Sequence, residues 1–169
     1  PIRNVSGAPI GFGGRIIRKD DDQPKYINSP ETSIYHKGRS LYGLYEAKNS
    51  IRLKKTAVLV EGYMDLISLH AAGIKHVAAS LGTALTQSQA ILLRRFAERV
   101  IFLYDGDAAG QKAMARGASV LLSAGLDLRV CQLPEGMDPD DVIQAEGSEV
   151  MADRLDAALP YFQYRIQRF

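Results

Sequence analysis

From residue 57 onward the chain alternates short apolar runs with helical patterns, and no other feature restricts its fold so tightly. The runs are 57–61, 76–80, 99–104 and 127–133, and the patterns that follow them are 63–72, 86–97, 108–124 and 139–146. Each run is rich in Val, Ile or Leu and lacks strict alternation, as strands covered on both faces do. A helix between successive strands supplies the crossover that parallel pairing needs. The expected architecture is α/β, a parallel sheet of about four strands flanked by helices on both sides. Thr86 with Gln89 forms an N-terminal capping pair, and Gly73 and Gly125 close the helices before them.

Residues 1–56 read differently. A glycine-interrupted strand runs over 10–17, Asp20, Asp21 and Asp22 form a solvated turn, 25–28 is extended, and 41–53 is an amphipathic helix. The expectation is part of a small α+β subdomain that begins before Pro1. At the other end 159–162 opens a helical stretch, so the expected division is 1–56, 57–147 and 148–169, cut from a longer protein. With 46% hydrophobic residues a real core is affordable, and no run approaches the ~20 apolar residues of a membrane helix. With no signal-peptide pattern at the start, a soluble cytoplasmic protein is expected. The lone Cys131 sits in a strand-like run, where a buried apolar role is expected, and it excludes an internal disulfide.

The net charge of +2 hides an asymmetry, because residues 1–56 carry +6 and 57–169 carry −4. A basic segment joined to an acidic one suits a protein that holds phosphate with one part and a cation with the other. Ligands of open α/β sheets bind beyond the carboxyl ends of the strands. There the runs end in Glu61-Gly62, in Asp105-Gly106-Asp107 and in the Asp138-Pro139-Asp140-Asp141 loop. Parallel strands would bring these acids to one edge, where their mutual repulsion calls for a cation. Hard oxygen donors point to Mg²⁺ or Mn²⁺. Zinc fits poorly, since His36, His70 and His76 show no ligand spacing. A calcium loop counted from Asp105 fails, with Ala109 fifth and Arg116 twelfth, and Gly11-Phe12-Gly13-Gly14 matches neither a dinucleotide fingerprint nor a P-loop. Those glycines are expected either to let the backbone approach a neighbour or a nucleic acid, or to mark an ordinary bulge.

With Glu61-Gly62-Tyr63-Met64-Asp65 and the Asp105 to Gly110 run in place, the sequence resembles the TOPRIM module of primases, topoisomerases and some nucleases. Gly11 to Arg15, Pro24 to Thr32, His36 to Arg39, Leu41 to Tyr45, Ser80 to Thr86 and Asp138-Pro139-Asp140 extend the similarity to the central region of bacterial DnaG-type primases, over essentially the whole chain. The resemblance implies a nucleotidyltransferase that copies single-stranded DNA into a short RNA primer from ribonucleoside triphosphates. It makes 57–147 the metal-binding module and Glu61, Asp105 and Asp107 the catalytic residues. Glu61, Asp105, Asp107, Asp138 and Asp140 become ligands of Mg²⁺ or Mn²⁺, with Glu61 open as ligand or general base. Arg15, Lys25, Asn28 and Lys37 would hold nucleotide or template phosphates, and Tyr26 is open between stacking on a base and a core or rim role. Zinc and the replicative helicase are implied only for the amino- and carboxyl-terminal domains of a complete primase. A topoisomerase, a nuclease or a non-catalytic nucleic-acid-binding module are the alternatives.

Overall fold

In the computed structural model, residues 1–16, 26–80, 84–104 and 108–167 are described. Ile2–Arg3 (β1) pairs with Pro9–Gly11 (β2), and Gly13–Arg15 (β3) pairs with Tyr26–Asn28 (β4), each pair antiparallel. The single strand expected over 10–17 is thus broken at Phe12, whose N–H donates to Ser29 Oγ at 2.9 Å and whose carbonyl accepts from the Ser29 N–H at 2.8 Å. Gly11 lies against the buried ring of Tyr35, where a Cβ would stand 3.3 Å from the ring edge. Asp20, Asp21 and Asp22 fall outside the described residues.

The helix expected over 41–53 begins later, as Leu44–Lys54 (α1). Tyr42 is extended instead and exchanges two backbone hydrogen bonds with Ala79, at 2.9 and 3.0 Å. Gly43 then turns the chain with φ +75°, and an added Cβ would stand 2.5 Å from Leu66 Cδ1.

Next come Thr56–Val60 (β5), Tyr63–Ala71 (α2), Val77–Ala79 (β6), Gln87–Arg94 (α3), Arg99–Phe102 (β7), Ala108–Ser123 (α4), Asp127–Val130 (β8), Pro139–Glu146 (α5) and Ser148–Asp156 (α6). Leu159–Pro160 (β9) and Tyr161–Ile166 (α7) follow. The main sheet has the order β6-β5-β7-β8-β9. The four expected strands pair with one another in parallel, with Leu59 level with Phe102 and Phe102 with Val130. The fifth was not expected: Leu159 and Pro160, read as a helix start, add an antiparallel edge to β8. Proline is tolerated there because an edge strand need not donate on both sides.

Both faces of the sheet are buried, which accounts for the missing alternation. Ala57 and Leu59 join one apolar cluster with Leu44 and Ile51 of α1, Leu93 of α3 and Leu121 of α4. Val58 and Val60 join another with Leu66 and Leu69 of α2, Val142 of α5 and Met151 of α6. The capping pair at Thr86 forms as expected, its hydroxyl accepting from Gln89 N. Gly73 and Gly125 take φ +89° and +76°. Cys131 is buried, and burial pushes its thiol up to about 12. Among the described residues no helix is long and apolar enough to cross a membrane.

His76, just before β6, is only 6% exposed, and burial followed by the Lys54 charge pulls its pKa down to about 4. It is neutral in the folded chain at neutral pH, whereas the unfolded imidazole titrates near 6.5. The unfolded state therefore gains the proton first on acidification. Stability contributed by His76 is present above about pH 6.5 and is lost as pH falls toward 4, up to about 3 kcal/mol. Urea unfolding from pH 7.5 to 4.5 should show this loss, and His76→Gln should flatten it. Parallel profiles for the two proteins would refute the assignment.

Candidate functional site

Glu61 directly follows β5, and Gly62 forms the extended N-cap of α2. The Gly62 N–H donates to Asp65 Oδ2 at 3.0 Å, so Asp65 secures the turn that carries Glu61. One Glu61 oxygen, Oε1, is buried. Tyr104, two residues past β7, makes a side-chain hydrogen bond with Ser80, which follows β6. Burial first, and the Glu61 charge second, hold the Tyr104 phenol well above its ordinary pKa. The chain leaving three strands thus meets at the carboxyl edge of the sheet. Asp105 and Asp107 come next in sequence after Tyr104 and lie outside the described residues, as does Lys25.

The β3–β4 hairpin stands beside α2. Gly13 pairs with Asn28, and Arg15 with Tyr26. The Arg15 guanidinium lies 5.8 Å from the Tyr26 ring centre. Tyr63, two residues after Glu61, donates its hydroxyl to Asn28 Oδ1. Its ring lies 6.2 Å from that of Tyr26 and meets the edge of Tyr42 at 4.6 Å. A Cβ on Gly13 would fall inside the Tyr63 phenol, so this glycine admits a close approach to a neighbour in the same chain; Gly14 has open space around it. Burial of Tyr63 raises its pKa and keeps the hydroxyl a donor.

Lys37 occupies a separate short 3₁₀ turn, Lys37–Arg39. Its N–H donates to Glu31 Oε1 at 2.7 Å and His36 Nδ1 lies 2.9 Å from Glu31 Oε2. These contacts, the Lys37 N–H first, hold the Glu31 carboxyl below its usual range. The buried Gln89 amide donates to the carbonyls of Lys37 and Ser40 at 2.9 and 2.8 Å, and its Oε1 accepts from Thr86 N.

At the third acidic position, Asp138 and Asp141 accept reciprocally from each other's N–H at the start of α5. Asp140 accepts from Ser68 of α2 at 2.6 Å and from Gln144 at 2.8 Å. Carboxylate oxygens have lone pairs beyond these, so the bonds orient Asp140 without exhausting it. Among the described residues no three His, Cys, Asp or Glu side chains form a metal cluster. The structure therefore gathers Arg15, Tyr26 and Asn28 on one hairpin, puts Glu61 two residues before Tyr63, which bonds to that hairpin, ties Asp140 to α2, and puts Lys37 on its own turn. Tyr63, Tyr42 and Ser68 were not singled out from the sequence. Gly13 was the available signal for Tyr63, since a strand glycine marks a close approach without naming what approaches.

Comparison with known proteins now decides the family. Residues 58–143 match a Toprim-like family model, and residues 1–48 match the N-terminal domain of the DNA primase catalytic core. The chain belongs to the Toprim-like family. It is 48% identical over 169 residues to the DNA primase of Clostridium acetobutylicum, covering 99% of this chain and 28% of that protein. The Aquifex aeolicus primase structure, comprising zinc-binding and RNA polymerase domains, superposes with a TM-score of 0.93 at 48% identity, over 99% of this chain and 41% of that one. A DnaG primase catalytic domain bound to single-stranded DNA gives 0.85 at 45% identity, over 95% of this chain and 52% of that one. The Toprim chain thus spans a little over a quarter of the Clostridium acetobutylicum protein and about half of a solved catalytic domain.

Gln89 links the Toprim helix α3 to the Lys37 turn. Gln89→Ala would strip the partners from two carbonyls in a buried setting, and the expected cost is about 2–3 kcal/mol. Urea denaturation measures this; a loss under about 0.5 kcal/mol would show that the turn is held by other contacts.

Proposed function

We propose that this segment is the part of a DNA primase in which nucleotidyl transfer takes place, extending a short RNA primer on single-stranded DNA from ribonucleoside triphosphates. The observation that carries the reading is the hairpin bearing Arg15, Tyr26 and Asn28 seated on Tyr63, two residues from the Glu61 carboxylate. A phosphate-binding surface and an acidic strand end then share one edge of the sheet. The relatives' identity over nearly the whole chain, and the single-stranded DNA bound to one of them, support the same assignment.

The donor set fits Mg²⁺ or Mn²⁺. Every group proposed for it, Glu61, Asp105, Asp107, Asp138 and Asp140, offers carboxylate oxygen, and the buried Glu61 Oε1 is the sort of group a cation offsets. When bound, the ion lowers the pKa of the attacking hydroxyl and stabilises charge on the triphosphate. The primer 3′-hydroxyl attacks the α-phosphorus, the bond to the bridging oxygen breaks, and pyrophosphate leaves. Glu61 serves as ligand or as the base that receives the hydroxyl proton. Arg15, Lys25, Asn28 and Lys37 hold phosphate oxygens, and the Tyr26 ring offers a face for stacking. The division follows: 1–56 holds phosphate, 57–147 carries the metal, and 148–169 begins a helical support. Zinc and helicase contacts are placed on parts of the longer relatives that this segment does not span.

Asp107→Ala in the full-length protein should abolish Mn²⁺ binding and lower primer synthesis about 100-fold or more, with the unfolding midpoint unchanged or raised. Normal synthesis on single-stranded DNA would reject the reading. Lys25→Ala should weaken DNA binding and make it less steep in salt by roughly 0.7 of a counterion, with Mn²⁺ affinity retained. Titration at several salt concentrations checks this, and an unchanged slope would remove Lys25 from the site.

A further inference from the structure

We infer that Tyr63 is a positioning residue that sets the amide of Asn28 for a nucleotide phosphate. This rests on the reading of the hairpin as the phosphate-holding surface. An asparagine amide has one accepting end and one donating end, and only the donating end suits a phosphate oxygen. Tyr63 donates to the accepting end, Oδ1, which leaves the NH₂ group for an outside acceptor.

Three further contacts make the arrangement rigid. Gly13, the cross-strand partner of Asn28, brings its backbone against the phenol where any Cβ would collide. The Tyr63 ring is held edge-to-face by Tyr42 at 4.6 Å, and Tyr42 is bonded through its backbone to Ala79 of β6. Tyr63 also opens α2, in the turn that presents Glu61. One side chain thus references the phosphate-holding hairpin to the acidic end of the sheet. Without the hydroxyl, the Asn28 amide can turn over and aim its carbonyl oxygen at the phosphate, where like partial charges repel.

The test is a double-mutant cycle in the full-length protein, with ATP binding measured in saturating Mn²⁺, Mn²⁺ affinity measured alone, and kcat and KM for primer synthesis. Tyr63→Phe keeps the ring and its packing. It should weaken ATP about five- to tenfold and raise KM by the same factor, with kcat within about twofold and Mn²⁺ affinity unchanged. In an Asn28→Ala background the same substitution should have no further effect, because Tyr63 acts through Asn28. Gly13→Ala, which pushes the phenol from the hairpin side, should reproduce the selective loss and gives a second readout if Tyr63→Phe folds poorly. An unchanged KM in Tyr63→Phe, or losses that add in the double variant, would overturn the inference while leaving the hairpin as the phosphate surface. Wild-type ATP binding by Asn28→Ala would instead remove Asn28 from the phosphate surface, and this inference with it.

Discussion

Parallel, in-register pairing of β5, β7 and β8 is the constraint on which the rest of the molecule depends. Because Leu59, Phe102 and Val130 lie level, the chain leaves all three strands at one edge, where Glu61 directly follows β5. The pairing survives because both faces are covered: Leu59 and Val60, adjacent on β5, belong to different apolar clusters. A sheet with one solvated face could not hold such uninterrupted apolar strands. The position of Glu61 is thus a consequence of core packing more than of any bond Glu61 makes.

The elements with their own local signal were legible in the sequence. The four βα units, the Thr86–Gln89 cap and the helix-ending Gly73 and Gly125 each depend on residues a few positions apart. What was not legible depends on pairing across the chain. Leu159–Pro160 is too short to show a period and becomes a strand only because β8 offers an open edge. Tyr42 belongs to an amphipathic pattern but is drawn out of the helix by Ala79, 37 positions later in sequence. Phe12 interrupts a plausible strand because Ser29 captures both of its backbone groups.

The same distinction runs through the site. Arg15, Tyr26 and Asn28 were readable as a group from their motif, and the hairpin does bring them together. Their alignment with Glu61 was not, since it passes through Tyr63, whose partners lie 35 residues away at Asn28 and on two other tyrosine rings. Asp138 and Asp141 form a helix cap inside the loop proposed to hold the metal. Their reciprocal bonds make a helix cap that would exist without any ion, and the cap also fixes the loop in which Asp138 and Asp140 stand. A cap and a ligand would be written in a sequence with the same letters.

The two ends of the sheet treat charge in opposite ways, and this gives the +6 and −4 partition its meaning. At the amino ends of the strands opposite charges pair directly: Lys55 with Glu98 at 3.0 Å, Arg99 with Asp127 at 2.6 Å and Arg129 with Asp127 at 3.6 Å. Exposed pairs of this kind add little stability and leave nothing over for a ligand. Beside α2 the Arg15 cation rests over a tyrosine face and, among the described residues, pairs with no carboxylate, while tyrosines hold its hairpin in place. An aromatic face steadies a guanidinium without neutralising it. Acidic and basic groups can then stand as neighbours without consuming one another, an arrangement matched by a ligand that carries both signs. The divalent ion complexed to a triphosphate proposed above would be such a ligand, with its positive part toward the carboxylates and its negative part toward Arg15.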